Sequence, residues 1–71
     1  MVNVELLEKT IEDSGMTKLA VCKKAGISRQ TLFNRYREPQ LFTMQEVNAL
    51  KDVLHLSERE CKRIFFAKNA E

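Results

Sequence analysis

Residues 17–37, TKLAVCKKAGISRQTLFNRYR, carry the signals for two short helices and the tight turn between them. Thr17 has the side chain and the position of an N-cap for the first of these helices. Gly26 suits the left-handed residue that follows a helix end, because it has no Cβ to clash there. Ser28 then caps the second helix, so the stretch predicts a helix, a turn and a second capped helix.

Apolar residues at a defined spacing bound this turn. Ile27 precedes the second cap and Leu32 lies at the fourth helical position, which is the spacing of a hydrophobic staple. A helix, a glycine-containing turn and a capped helix form the helix-turn-helix pattern, whose second helix enters the major groove of DNA. Residues 17–37 therefore predict this motif, with residues 28–37 as its second helix.

Charge is distributed unevenly along the chain. Residues 16–37 contain six Lys or Arg and no Asp or Glu, although the formal net charge of the chain is only +2. Residues 1–15 and 38–60 each carry a net charge of −3, and residues 61–71 carry +2. A basic patch of this kind is typical of a surface that binds a polyanion.

Three further helices are predicted around the motif, over residues 3–14 and after two capping boxes at residues 43–46 and 57–60. Residues 38–42 are expected to be a loop, because Pro39 cannot continue the preceding helix. No strand-like alternation interrupts this pattern. We therefore predict an all-α fold of five short helices, with residues 1–71 forming a single domain.

Apolar spacing indicates what each outer helix buries. The first helix places its glutamates opposite its apolar face, so we expect them to point away from any DNA. The fourth helix is expected to bury four residues, and the fifth helix three, in this order: Val47, Leu50, Val53 and Leu54, then Cys61, Ile64 and Phe65.

The third helical position differs between two pairs of helices. It is Glu46 or Glu60 in the two capping boxes, but Ala20 and Thr31 in the two helices of the motif. A carboxylate there stabilises a helix N-terminus but repels phosphate. Its absence from these two helices suggests that their N-termini face DNA.

Composition limits the classes of function. No apolar run approaches the roughly 20 residues that span a membrane, and no signal-peptide pattern is present. Cys22 and Cys61 lack metal-binding spacing and lie far from His55, so we expect reduced, buried thiols in a cytoplasmic protein. With one histidine and no glycine-rich phosphate loop, we expect neither catalysis nor a metal, cofactor or small-molecule ligand.

These features resemble the DNA-binding domain of phage lambda-repressor and Cro proteins. The resemblance covers residues 3–66, and residues 26–66 are especially similar to small regulators of phages of Gram-positive bacteria. The similar features are the Gly-Ile-Ser turn, a Leu-Phe pair, the loop at 38–43 and a final Ile-Phe-Phe. The loop has Glu38 where those regulators have asparagine. The resemblance implies a DNA-binding transcriptional regulator of the phage or prophage Cro or repressor type.

The resemblance also implies roles for single residues. Bases would be read by Arg29, Gln30 and Asn34, and the chemistry agrees, since Arg binds guanine and Gln or Asn binds adenine bidentately. Contacts to the DNA backbone are expected from helix N-termini and polar side chains, namely Thr17, Lys18, Ser28, Arg37 and Gln40.

Two phenylalanines have alternative interpretations. Phe33 either packs against the chain or touches a thymine methyl and sugar. Phe65 and Phe66 are adjacent and cannot both face one core, so Phe66 either folds back onto the fourth helix or joins a dimer interface. Family members pair on DNA because one helix reads too few base pairs, so we expect a homodimer on a double-stranded operator.

A second class of function is a protein-interaction module, such as an antirepressor or an antitoxin that uses the same fold to hold a partner. The basic window at residues 16–37 discriminates between the two classes. A pure interaction module does not need a second motif helix without carboxylates.

Overall fold

The computed structural model describes residues 1–67, which form five α-helices and a short 3₁₀ turn and contain no strand. The predicted all-α class is therefore confirmed. In chain order the helices are α1 (Val4–Asp13), α2 (Lys18–Ala25), α3 (Arg29–Arg37), α4 (Met44–Val53) and α5 (Glu58–Phe65), with the 3₁₀ turn Pro39–Leu41 between α3 and α4.

The predicted caps and turn of residues 17–37 are confirmed. The Thr17 hydroxyl accepts the Ala20 N–H at 3.1 Å, and the Ser28 hydroxyl accepts the Thr31 N–H at 3.0 Å. Gly26 has a φ of 74°, in the left-handed region. These local contacts end α2 and begin α3 within three residues, which fixes α3 next to α2.

Both predicted capping boxes are also present, at the starts of α4 and α5. The hydroxyls of Thr43 and Ser57 each accept the N–H of the third helical residue at 3.1 Å. Glu46 and Glu60 accept the N–H of their caps at 3.1 and 2.9 Å. The sequence pattern therefore located both helix starts from local chemistry alone.

One apolar cluster joins the helices. Phe42, before α4, packs edge-to-face on Phe65 of α5, with ring centroids 5.5 Å apart. Val53 is only partly buried, contrary to the prediction, because it lies at the outer edge of the cluster. The buried members are Leu7, Ile11, Val21, Val47, Leu50, Leu54, Leu56, Cys61, Ile64 and Phe65.

Two backbone features departed from the sequence analysis. The expected loop at 38–42 contains the 3₁₀ turn, which Pro39 starts with its fixed φ. His55 has a φ of 56° after α4, where the Leu56 N–H donates to the Lys51 carbonyl at 2.9 Å. This is the hydrogen bond of a Schellman motif, and the short link between α4 and α5 thereby brings Leu56 into the core.

Arg35 ties the far side of α3 to the start of α4. Its guanidinium donates two hydrogen bonds to the Glu46 carboxylate, at 2.9 and 3.0 Å. The two side chains are only 20% and 17% exposed. The Arg35 hydrogen bond holds the pKa of Glu46 below its usual value, and the Thr43 N–H acts in the same direction. Glu46 therefore completes a cap and an ion pair together.

We expect Glu46→Gln to lower the melting temperature by several degrees at pH 7, because glutamine keeps the cap but loses the ion pair. A carboxyl with a lowered folded pKa stabilises the fold above its unfolded pKa, near 4.5, and loses that effect as pH falls through the folded pKa. The difference from wild type should therefore shrink below about pH 4.5.

Glu60→Gln is the matched control, since it alters the other capping box and Glu60 forms no ion pair within residues 1–67. Thermal melts monitored by circular dichroism compare the two variants across pH. Equal losses in both would show that the ion pair with Arg35 adds nothing to stability.

Candidate nucleic-acid interface

The exposed side of α3 carries all three residues that were predicted to read bases. Counted at about 100° per residue, five positions of this helix span about 140° of its circumference. All five side chains are exposed, and α3 contains no Asp or Glu. They are Arg29, Gln30, Phe33, Asn34 and Arg37.

Neighbouring side chains restrain two of the predicted base readers. The Gln30 amide donates to the Asn34 side-chain oxygen at 3.3 Å, one turn along the helix. Both residues are exposed, so their remaining donors and acceptors point to solvent. The pair presents the kind of amide edge that binds adenine bidentately.

The N-terminus of α3 is capped by a short hydroxyl network. Ser28 accepts the Thr31 N–H and donates its own hydrogen to the Thr31 hydroxyl at 2.9 Å. Ser28 is exposed. Because no carboxylate occupies this end, the partial positive charge of the helix N-terminus is left for an external anion.

Lys18 is held at the N-terminus of α2. Its ammonium lies 2.8 Å from the Glu8 carboxylate and 5.7 Å from the centre of the Tyr36 ring. The sequence did not predict this partner, because Glu8 was expected on the acidic outer face of α1. Because α1 packs against α2, Glu8 reaches across to the helix start.

The six cations of residues 16–37 are therefore not equivalent. Arg35 is committed to Glu46, and Lys18 is shared with Glu8. The other four are exposed and form no ion pair within the part of the chain that the structure describes. These four are Lys23, Lys24, Arg29 and Arg37.

Two further residues predicted to contact the DNA backbone, Thr17 and Gln40, lie at the start of α2 and on the 3₁₀ turn. Thr17 is exposed, and its hydroxyl accepts the N–H of Ala20, the third residue of α2. Gln40 lies on the 3₁₀ turn, where its exposed side chain lines a groove with Met44 and Phe66. Gln40 therefore lies at the border between the α3 surface and this groove.

The other side of α3 faces the core. Leu32 is buried, and Tyr36 is half-buried against the core cluster. The Tyr36 hydroxyl is enclosed without a hydrogen-bond partner in residues 1–67, and burial raises the pKa of this phenol. Phe33, by contrast, is 56% exposed.

Phe66 lies at the end of α5 beside an apolar groove. Phe65 completes the core, whereas Phe66 remains 51% exposed, so the adjacent phenylalanines do face different ways. Phe66 shares the groove with Met44 of α4, which is 59% exposed. The groove has a volume of about 390 Å³, and its lining residues are Met1, Val2, Pro39, Gln40, Phe42, Met44, Val47, Phe65 and Phe66.

Residues 1–67 contain neither a group of three or more His, Cys, Asp or Glu that could hold a metal ion nor a helix with the length and apolarity needed to span a membrane. Cys22 and Cys61 are free and buried, as predicted, and burial raises the pKa of both thiols.

Sequence reasoning missed two residues that shape this surface. Glu8 holds Lys18, and Glu46 removes Arg35 from the available cations. The capping box identified Glu46 as a helix cap, but no sequence signal joined it to Arg35. Both ion pairs link residues ten or eleven positions apart, on different helices.

Comparisons with known proteins identify no relative. No protein-family model, no curated protein and no solved structure matches this chain.

Proposed function

We propose that this protein is a sequence-specific regulator of transcription that binds double-stranded DNA, of the phage or prophage Cro or repressor type, and acts in the cytoplasm without catalysis. In this proposal α3 enters the major groove. The observation that carries it is the exposed side of α3, where two arginines and two amides lie together on a helix without carboxylates.

Each group on this surface has a counterpart on DNA. Arg29, at the first position of α3, has the donors to bind the O6 and N7 atoms of guanine. Gln30 and Asn34 can each bind adenine through N6 and N7. The starts of α2 and α3, with Thr17, Lys18 and Ser28, would bind phosphates.

The proposal includes a homodimer on DNA. A single helix reads only a few base pairs, which are too few to select one operator in a genome. Two copies related by a two-fold axis would place their α3 helices in successive major grooves about 34 Å apart. The exposed groove beside Phe66 supplies an apolar surface for this pairing.

Selection of binding sites from random duplexes tests the proposal directly. We expect one enriched sequence with two-fold symmetric half-sites, and an affinity that falls steeply with salt. Absence of enrichment together with absence of salt-dependent binding to bulk DNA would reject it. A protein-interaction module would then be the better explanation of the fold.

Lys18→Ala should weaken binding to all duplexes about equally, because a phosphate contact carries no sequence information. The slope of log affinity against log salt should become flatter by about one unit. Lys9→Ala is the control, since Lys9 pairs with Asp13 on α1, outside the motif, and is also exposed. A changed sequence preference in Lys18→Ala would contradict the assignment of Lys18 to the backbone.

A further inference from the structure

Phe33 is a large apolar side chain on an otherwise polar, exposed side of α3. Its ring is 56% exposed, although it lies among the polar residues on the exposed side of α3. The Arg37 guanidinium lies 6.0 Å from the ring centre and covers part of one face. Arg37 and Phe33 are one turn apart, so this contact holds the ring in place without burying it.

A small hollow adjoins the Phe33 ring. It has a volume of about 80 Å³ and lies between α2 and α3. Apolar groups from Cys22, Leu32 and Phe33 contribute to its lining. Of its two cations, Lys18 is paired with Glu8, whereas Arg29 forms no ion pair within residues 1–67. A partly apolar hollow beside an unpaired arginine suits an apolar group that is carried by a polyanion.

We propose that Phe33 reads the C5-methyl group of a thymine in the operator, which rests on the proposed function of α3 as the DNA-reading helix. The major-groove edges of the base pairs carry a single apolar group, and this is the thymine methyl. Phe33 lies between Arg29 and Arg37 around the helix, so a base edge that meets these polar neighbours also meets the ring.

The alternative partner for an exposed phenylalanine is an apolar protein surface. The charges argue against it, because Arg29, Gln30, Asn34 and Arg37 surround the ring and would all lose water in such an interface. DNA offers those four side chains acceptors while it offers the ring a methyl group. The apolar ring and its polar neighbours together therefore favour a thymine in DNA over an apolar protein surface.

The test replaces each thymine of a duplex selected by the full chain, one at a time, with deoxyuridine, which lacks only the methyl group. Wild type should lose about three- to fivefold in affinity at one thymine per half-site, the value of one buried methyl. Phe33→Ala should bind the thymine and deoxyuridine duplexes equally. Leu41→Ala, which removes another exposed apolar side chain, should keep the wild-type ratio.

The outcomes separate this inference from the proposed function. If wild type selects a site but tolerates deoxyuridine at every position, Phe33 does not read thymine, although α3 still reads DNA. The same conclusion follows if Phe33→Ala keeps the wild-type preference for thymine. If no duplex is selected at all, the proposed function itself fails.

Discussion

Arg29→Ala is expected to weaken binding to the selected operator by about 5- to 150-fold, which corresponds to about 1–3 kcal/mol for one bidentate base contact. The selectivity should relax at one base pair, because the lost donors read a particular guanine. Gln30→Ala should act similarly at a neighbouring pair. Gln30→Ala should also weaken the base contact of Asn34, because the Gln30 amide donates a hydrogen bond to the Asn34 side-chain oxygen at 3.3 Å.

A loss of charge alone would also weaken binding, so the experiment needs a control with the same change. Arg59→Ala removes an exposed arginine from the first turn of α5, outside the α3 surface. Each variant is titrated with the selected duplex and with a scrambled duplex. Only the α3 variants should reduce the ratio of the two affinities. Unchanged selectivity in both Arg29→Ala and Gln30→Ala would mean that α3 does not read bases.

The fold was predictable where local chemistry decides it. Ser28 caps α3 and Gly26 adopts a left-handed conformation because of residues within one turn of each. The capping boxes at Thr43 and Ser57 are equally local. His55 was not predictable in this way, because a positive φ is uncommon for any residue other than glycine, and at His55 it accompanies the burial of Leu56.

The candidate site was predictable only in part. Exposure of Arg29, Gln30 and Asn34 followed from helical spacing. The partners of Lys18 and Arg35 did not, since each contact depends on how two helices cross. A charge count along the sequence therefore overestimates the available patch, and the difference is set by tertiary packing.

Phe66→Asp is expected to convert a dimer to a monomer and to weaken operator binding by about 100-fold or more. In a dimer, binding of one copy raises the effective concentration of the second copy at the other half-site, and a monomer lacks this effect. A charge placed beside the apolar groove would be desolvated in the proposed interface without a partner. The fold should survive, since Phe66 is half-exposed and the core is completed by Phe65. Analytical ultracentrifugation gives the oligomeric state, and circular dichroism gives the helical content.

A second variant separates loss of the interface from damage to α5. Met44→Asp changes another lining residue of the same groove, at the first position of α4, where an acidic residue suits the helix N-terminus. It should therefore dissociate the dimer while it leaves the fold at least as stable. Asn48→Asp adds the same charge at an exposed position of α4 outside the groove, and should leave the dimer intact. A dimer that persists at the same concentration in both groove variants would exclude this surface, and a wild-type chain that binds its operator as a single copy would exclude pairing itself.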